Sequence, residues 1–401
     1  MVISKPLQNT FMSNSYGSAL ELVHNTLSTL NYSSKESAHH HQPRDTCLGS
    51  DFSAFPFPSF HRGASEFSIL EVAAFESWSQ SVFCLLSDLV RSVKQRSIIL
   101  QGVRGCPVLR HQSFDSAIGR EGLESKQVVI DKGQTSVHCW VPSKAAADSW
   151  EPALLLLHGF QFDGMVGWEN QIPEFSKHFR LYVPDLIFFG SSYSNSSERS
   201  EIFQAECFKK MLDELKVDRV HVMGTSYGGM VAYRMAHLFP ELVDKVVCCS
   251  SGVTMTPRTN DRLLKEINCE KVNTILIPTT LEEAKLGMSV ATVFNLSKFP
   301  LFLIKPLYQR YFSRNMKERT ELLEGMIISS EGAPPVPKIG QKTLILWGRK
   351  DRIFSTDLAE ELKELIGDNA KLVYFENSGH IPQVEKKKEF NAEAIKFLLY
   401  S

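Results

Sequence analysis

The sequence lacks several features that would place it in other protein classes. A helix that crosses a bilayer needs about 20 apolar residues, and no apolar run approaches that length, so we predict that the protein is not an integral membrane protein. The formal net charge is −1, which gives no overall attraction to nucleic acid, and we predict no nucleic-acid partner. The 8 cysteines form no C-x-x-C pair and no cluster with zinc-ligand spacing, which predicts reduced thiols in an intracellular protein without a metal site.

Residues 1–65 show no sustained hydrophobic period and are rich in Ser, His and Asn, which predicts a disordered N-terminal region. Through residue 35 the only acid is Glu21, and hydroxyl side chains are frequent, as in an organelle transit peptide, but arginine is scarce. Two interpretations stay open. The segment is either a transit peptide for chloroplast import or a plain disordered tail of a cytoplasmic protein.

Residues 66–124 form a second segment, in which apolar residues recur at three- and four-residue intervals. These residues are Leu70, Phe75, Trp78, Val82, Phe83, Leu86, Leu89, Val90 and Val93. Their spacing predicts an amphipathic helical extension. Because residues 90–110 also carry basic side chains and no acid, residues 67–110 could make peripheral contact with a membrane. The alternative is that the helix packs on the domain that follows.

From residue 125 to residue 401, short apolar runs alternate with amphipathic helical patterns. The predicted strands are Gln127–Ile130, Ser136–Val141, Ala153–Leu157, Arg180–Pro184, Arg219–Gly224, Lys245–Cys249, Thr343–Trp347 and Lys371–Phe375. Parallel neighbours need crossover connections, so this alternation predicts an α/β fold with a mostly parallel eight-stranded sheet and helices on both faces. Between Ser251 and Gln341 helical stretches replace the strands, which predicts a helical cap insertion at about residues 255–340.

One glycine-rich turn, Gly224-Thr225-Ser226-Tyr227-Gly228, lies between a predicted strand and a predicted helix. Glycines remove Cβ atoms where such a sharp turn would otherwise clash, and the serine at its apex keeps an exposed hydroxyl. The pattern G-x-S-x-G is weakly specific alone, and it could mark only a tight turn. Its position between strand and helix favours Ser226 as a nucleophile.

A serine nucleophile needs a base, and the base needs a carboxylate that orients it. His380 lies just after the last predicted strand, and Asp351 lies just after the strand before it. Ligands in such sheets collect at the carboxyl ends of the strands, so we predict that His380 is the base and Asp351 its acid. The alternative is that Asp351 caps the helix near residue 356 and that His380 only lines the cleft.

Acyl transfer also needs backbone N–H groups that bind the oxyanion. The amide of Tyr227, directly after the predicted nucleophile, is one candidate donor. The second is the amide of Phe160, in the loop that follows the Ala153–Leu157 strand. We predict a structural role for the neighbouring His158.

Taken together, the segments LLLLHGF, VPDLIFFGSS, GTSYGG, LILWGRKD and NSGHIPQVE resemble the ordered motifs of the α/β-hydrolase fold family. The resemblance covers about residues 125–401 and is to plant and bacterial proteins similar to hydroxymuconic-semialdehyde hydrolases and monoacylglycerol lipases. It implies Ser226 as nucleophile, Asp351 and His380 as acid and base, and the amides of Phe160 and Tyr227 as oxyanion hole. It implies no metal and no organic cofactor.

We therefore predict a serine hydrolase whose partner is a small-molecule carboxylic ester with an apolar or lipid-like acyl group. The acyl preference rests on the apolar residues between 290 and 304 and on Phe160, Phe162 and Trp168. Carbon–carbon bond hydrolases of the family typically have Trp after the catalytic histidine, and here Ile381 follows. A C–C bond hydrolase and a slow-turnover small-molecule receptor of the plant-hormone type stay open as alternatives.

Overall fold

The computed structural model describes residues 122–144, 149–294, 296 and 299–401, all of which belong to one compact unit of the chain, Glu66–Ser401. The predicted disordered region of residues 1–65 lies outside the described residues. So does the predicted helix after residue 66, with its membrane contact through residues 67–110. Both stay predictions.

A sheet of 9 strands forms the centre of the described unit. The strands are β1 Leu123–Ile130, β2 Thr135–Pro142, β3 Ala153–Leu157, β4 Arg180–Pro184, β5 Tyr193–Ser194, β6 Val220–Thr225, β7 Val243–Cys249, β8 Lys342–Gly348 and β9 Ala370–Phe375. Their order is β1-β2-β4-β3-β6-β7-β8-β9, with β5 paired to β2. Strands β3, β4 and β6 to β9 are mutually parallel, whereas β1, β2 and β5 pair antiparallel.

The predicted mostly parallel sheet is confirmed, with two differences. The first strand begins at Leu123, ahead of the predicted boundary at residue 125. The ninth strand, β5, was not predicted, because two residues carry no readable period and pair with β2 only through the tertiary structure.

The apolar runs of the parallel strands are buried on both faces. In β3, Leu155 and Leu157 contact one hydrophobic cluster and Leu154 and Leu156 contact the other. A strand covered by helices on both sides has no polar face, and this explains why its sequence is continuously apolar instead of alternating.

The helices of the described unit lie on both sides of this sheet. They are α1 Gly164–Trp168, α2 Ile172–Phe175, α3 Glu201–Glu214, α4 Tyr227–Leu238, α5 Asp261–Glu266, α6 Asn273–Leu276, α7 Leu281–Ala291, α8 Leu301–Leu307, α9 Met316–Glu324, α10 Thr356–Ile366, α11 Pro382–Glu385 and α12 Lys387–Tyr400. Helices α3, α4 and α10 pack on one face of the sheet, and α1, α2 and α12 pack on the other. No helix in the described part of the chain is both long and apolar enough to cross a membrane.

Helices α5 to α9 follow one another between β7 and β8, and we call this segment the helical insertion. The described residues between β7 and β8 form no strand. Local signals start α7, since Thr280 accepts a hydrogen bond from the Glu283 amide and the Glu283 carboxylate accepts one from the Thr280 amide. The insertion has a small apolar core of its own, which includes Met288, Leu296 and Ile304.

Candidate active site

Ser226 lies at the turn between β6 and α4, with φ 53° and ψ −122°. Such a left-handed conformation costs a non-glycine residue about 1–3 kcal/mol and persists only where neighbours enforce it. Here the Ser226 amide donates to the Cys249 carbonyl oxygen at 2.8 Å, and the Ser251 hydroxyl donates to the Ser226 carbonyl oxygen at 2.8 Å. The side chain is half-buried and makes no capping hydrogen bond to α4, so its hydroxyl is not engaged by the helix it precedes.

The glycines around Ser226 are required by close backbone approach. A Cβ atom on Gly228 would overlap the carbonyl oxygens of Leu157 and His158, and one on Gly224 would overlap the carbonyl oxygen of Gly228. These neighbours are backbone atoms of β3, of the residue that follows it and of α4, which move only with those elements. The G-x-S-x-G spacing is therefore a packing requirement of this turn.

Replacing Gly228 with alanine is expected to lower the free energy of unfolding by about 3 kcal/mol, because the added methyl group overpacks against backbone. Chemical denaturation measures this change. The matched control is Gly340→Ala, since a Cβ atom on Gly340 has no neighbour within 4 Å. Equal stability of the two variants would contradict the close approach of Gly228 to β3.

The predicted acid and base are in direct contact. His380 Nδ1 lies 2.8 Å from Asp351 Oδ2, and the exposed fractions of the two side chains are 7% and 0%. The other oxygen of Asp351 accepts hydrogen bonds from the amides of Ile353 at 2.9 Å and Phe354 at 3.0 Å. A carboxylate that is held in this way places the proton on Nδ1 and leaves Nε2 free to accept one.

The loop that carries His380 is fastened to the helical insertion. The His380 amide donates to the Ala291 carbonyl oxygen at 2.9 Å, at the end of α7. The Glu385 carboxylate accepts hydrogen bonds from the amides of Gly379 at 2.6 Å and Val293 at 2.8 Å. Glu385 thus links the histidine loop to the helical insertion.

Ser226 and His380 lie at the same edge of the sheet, where β6 and β9 end. The two loops touch through Gln383, whose amide nitrogen is 3.4 Å from the Thr225 hydroxyl and whose oxygen accepts from the Cys249 thiol at 3.6 Å. Within the described residues no hydrogen bond joins the Ser226 hydroxyl to the imidazole of His380. In enzymes without substrate such contacts are often long and tighten when substrate binds.

The two predicted oxyanion donors flank Ser226. A Cβ atom on Gly159 would lie 3.5 Å from Ser226 Cβ, so the loop that carries Phe160 abuts the turn. The rings of Phe160 and Tyr227 are buried and meet edge to face, with centroids 5.7 Å apart. Among the described residues neither amide donates to a protein acceptor, which leaves two N–H groups available beside the hydroxyl.

His158 has the structural role predicted for it. Its Nδ1 donates to the Gly159 carbonyl oxygen at 2.7 Å, and its Nε2 accepts from the Leu186 amide at 3.0 Å. Burial lowers the pKa of His158 to about 4. The imidazole is therefore neutral at physiological pH, and both of its nitrogens are occupied.

Two residues beside this site were not found by sequence reasoning. Arg319 of α9 is 1% exposed, and its guanidinium carbon lies 5.4 Å from the centroid of the Phe160 ring. Arg319 Nη2 donates to Gln161 Oε1 at 3.1 Å, and Gln161 Nε2 donates to the Leu276 carbonyl oxygen at 2.8 Å. The insertion thus holds the loop of Phe160. No local pattern signals a contact between residues so far apart in the chain.

A cavity of about 650 Å³ opens between α7 and the loop after β8. Its wall combines apolar side chains with charged ones of both signs, among them Leu286, Val293, Phe294, Leu296, Glu282, Lys350 and Arg352. The cavity adjoins the histidine loop, because the Lys350 amide donates to the Ser378 carbonyl oxygen at 2.8 Å.

No group of three or more metal-ligating side chains occurs in the part of the chain that the structure describes. The cysteines nearest the site are also unsuited to nucleophilic chemistry. Burial raises the pKa of Cys248 and of Cys249 to about 12, so both thiols stay protonated.

Residues 152–387, more than half of the chain, match the family model described as the alpha/beta hydrolase fold. The chain belongs to the alpha/beta hydrolase fold family. This agrees with the resemblance drawn from the motifs and with the parallel sheet that carries them.

Relatives of this alpha/beta hydrolase differ in the substrate that their names state. The 2-hydroxy-6-oxononadienedioate/2-hydroxy-6-oxononatrienedioate hydrolase of Escherichia coli strain K12 is 29% identical over 266 residues, which cover 62% of this chain and 87% of that protein. The structure of a bacterial membrane phospholipase A has a TM-score of 0.59 at 22% identity, covering 78% of this chain and 97% of that one. The carboxylesterase CesB of Bacillus subtilis has a TM-score of 0.54 at 18% identity, covering 73% and 97%.

These similarities establish the fold and a place among hydrolases. The named substrate of one relative is a dienedioate, whereas the two solved structures are named as a phospholipase and a carboxylesterase.

Proposed function

We propose that this protein is a serine hydrolase that cleaves a carboxylic ester with an apolar or lipid-like acyl group, using Ser226, His380 and Asp351. The observation that carries the proposal is the 2.8 Å hydrogen bond from His380 Nδ1 to Asp351 Oδ2, formed at the sheet edge where Ser226 occupies its strained turn. A nucleophile, a base and an orienting acid on three different loops are the requirement for acyl transfer.

In the proposed mechanism His380 Nε2 takes the proton of Ser226 as Oγ attacks the ester carbonyl carbon. The amides of Phe160 and Tyr227 bind the resulting oxyanion, and Asp351 stabilises the imidazolium through Nδ1. His380 then protonates the leaving alcohol. A water molecule, with His380 as its base, then attacks the carbonyl carbon of the acyl-enzyme, releases the carboxylic acid and restores the Ser226 hydroxyl. No metal or organic cofactor takes part.

The feature that favours an apolar acyl group is the cavity beside the histidine loop, whose apolar wall includes Leu286 and Phe294 and whose lining does not include Ser226 or His380. Part of the apolar stretch between residues 290 and 304 serves another purpose, because Leu296 and Ile304 lie in the small core of the insertion, and Phe302 is 63% exposed. The proposal for an apolar acyl group therefore rests on the part of that stretch that lines the cavity outside the small core, Val293 and Phe294, together with Leu286. We also propose that the helical insertion acts as a cap over the substrate.

The test combines a fluorophosphonate probe with a panel of p-nitrophenyl esters from acetate to laurate. We expect the wild-type protein to carry the phosphonyl group on Ser226 and to hydrolyse the panel with a preference for longer acyl chains. The Ser226→Ala variant, which removes one oxygen atom, is expected to lose both the Ser226 adduct and turnover. A wild-type protein that neither reacts at Ser226 nor hydrolyses any ester would refute the proposal.

A second candidate is hydrolysis of a carbon–carbon bond, which the 29% identity to the dienedioate hydrolase favours. The same three side chains could serve it, but the residue after His380 is the aliphatic Ile381, whereas such enzymes typically have Trp there. Measuring the hydrolysis of 2-hydroxy-6-oxononadienedioate beside that of the ester panel decides between the two activities.

A ligand-dependent rise in Tm without turnover of either substrate class would favour the third alternative, a slow-turnover small-molecule receptor. The resemblance to plant members of the family also stays a proposal, because the relatives described above are bacterial.

A further inference from the structure

A second serine, histidine and aspartate lie in hydrogen-bonding order outside the proposed active site. Ser125 Oγ on β1 is 2.9 Å from His138 Nε2 on β2, and His138 Nδ1 is 2.9 Å from Asp185 Oδ2. Asp185 follows directly after β4, so the three residues come from the antiparallel end of the sheet and its neighbour. A hydroxyl, a base and an orienting carboxylate in this order are the signature of an activated nucleophile.

The carboxylate of this group is held as firmly as that of Asp351. Asp185 is 3% exposed, its Oδ1 accepts from the Gly164 amide at 2.9 Å, and its Oδ2 accepts from the Ser191 amide at 2.8 Å as well as from His138. Burial is the largest single effect and opposes the charged form, but the hydrogen bond and charge of His138, the charge of His158 and the hydrogen bond from the Gly164 amide together outweigh it, so the pKa of Asp185 is lowered. The ionised carboxylate can only accept, so the proton of the imidazole lies on Nδ1 and Nε2 faces Ser125.

The protonation of His138 depends on the acids that surround it. Burial disfavours its cation, but the hydrogen bond and charge of Asp185, with a smaller contribution from Asp163 at the start of α1, raise the pKa of His138. Burial and the charge of Asp185 in turn raise the pKa of Asp163 to about 6. Above the raised pKa of His138, the neutral imidazole can take a proton from the Ser125 hydroxyl.

Ser125 is accessible to reagents. It is exposed on β1, and in the described part of the chain β1 has β2 as its one neighbour in the sheet. The register pairs Ser125 with Trp140 and Gln127 with His138, which places Ser125 and His138 diagonally on one face of the hairpin. Ser125 lies within a strand and not at a helix N-terminus, so its reaction gains no help from a helix dipole.

We propose that Ser125 is a second base-activated hydroxyl that accepts acyl groups from small activated esters, independently of Ser226. Oγ forms a bond to the carbonyl carbon and the bond from that carbon to the leaving alkoxide breaks. The Oγ proton passes through His138 Nε2 to the leaving group. The products are an ester on Ser125 and a free alcohol, and without oxyanion donors the reaction is slow and stoichiometric.

The experiment treats the full chain carrying Ser226→Ala with p-nitrophenyl acetate and maps acetylated residues by peptide mass spectrometry. We expect an acetyl group on Ser125, at an occupancy that rises with pH through the titration of His138. Adding His138→Gln is expected to lower that occupancy by about 100-fold, the contribution of a general base. Ser197, an exposed serine with no histidine partner among the described residues, is the internal reference in the same digest.

Acetylation of Ser125 no greater than that of Ser197, or unchanged by His138→Gln in a variant of unchanged Tm, would overturn the proposal. If His138→Gln lowers Tm, the test is instead the pH dependence of Ser125 acetylation in the Ser226→Ala parent. Acetylation that does not rise with pH then overturns the proposal. The variant Ser125→Ala with Ser226 intact is expected to keep its ester turnover. Failure of this inference is thus separate from failure of the proposed function, which is measured at Ser226.

Discussion

Replacing Asp351 with asparagine is expected to lower kcat for ester hydrolysis by about 10⁴-fold with little change in Tm, because the substitution reverses the tautomer of His380. One oxygen of Asp351 accepts from the amides of Ile353 and Phe354, and the other accepts from His380 Nδ1. An asparagine keeps its single oxygen on the two amides and turns its NH₂ group to the imidazole.

The tautomer of His380 depends on whether the group that faces its Nδ1 donates or accepts a hydrogen bond. Facing an NH₂ donor, Nδ1 of His380 must accept, and the proton of the neutral ring moves to Nε2. That nitrogen can then no longer take the proton of Ser226. The geometry of the site stays intact while its base is blocked, so kcat is expected to fall much more than KM rises.

Steady-state kinetics with p-nitrophenyl esters and thermal unfolding measure the two quantities. The matched control is Asp357→Asn, the same substitution on an exposed carboxylate at the start of α10, which accepts a hydrogen bond from the Ser355 hydroxyl at 3.3 Å. The control is expected to keep wild-type kcat. A kcat for Asp351→Asn within tenfold of the control would show that Asp351 does not orient the base.

Replacing Arg319 with methionine is expected to lower kcat by about 10²-fold to 10³-fold, the effect of losing one oxyanion donor, and to change KM much less. Arg319 is a positioning residue in this prediction, since it acts through the loop that carries Phe160. The guanidinium donates to the carbonyl oxygens of Tyr311 at 2.8 Å and Leu276 at 3.2 Å and to Gln161 Oε1 at 3.1 Å.

The electrostatic setting of Arg319 explains the size of the expected effect. Burial alone lowers the pKa of Arg319 to about 10, and no acid offsets it, so the side chain is a charged group without a carboxylate partner in the described residues. It lies over the rings of Phe160 at 5.4 Å and Phe189 at 5.1 Å. Methionine fills similar volume but removes the donor to the Tyr311 carbonyl oxygen and to Gln161 Oε1, so the loop that carries the Phe160 amide loses its hydrogen bond to α9.

Arg234→Met is the matched control, because Arg234 is also buried, at 6% exposure, but its guanidinium pairs with Glu201 at 2.9 Å and makes no hydrogen bond or ion pair with the described residues 159–162. Both methionine variants are expected to be less stable than the wild-type protein. Only Arg319→Met is expected to have a lower kcat per folded molecule. Arg319→Lys, which keeps the charge, is expected to recover part of kcat. Equal kcat in the two methionine variants would show that Arg319 only stabilises the fold.

Much of the fold could be predicted from local patterns. The bounds of β3 and β4 agree with their apolar runs, and α10 agrees with its amphipathic pattern, because burial on one or two faces imposes a period that a short window contains. The same holds for the turn at Ser226, where Gly224 and Gly228 stand at the two positions that other backbone atoms approach closely. The predicted strand bounds placed Ser226, Asp351 and His380 just after strands. Their joint catalytic role stays a prediction.

The sequence by itself determined the α/β alternation, the glycine turn and the residues that follow each strand, since these depend on neighbours a few positions apart. Only the tertiary structure decided which distant groups meet. It paired β5 with β2, placed Arg319 over Phe160, tied Glu385 to the end of the insertion and joined Ser125, His138 and Asp185. Such contacts depend on how elements pack across the sheet, and a hydrogen bond between residues many positions apart imposes no period on the chain between them.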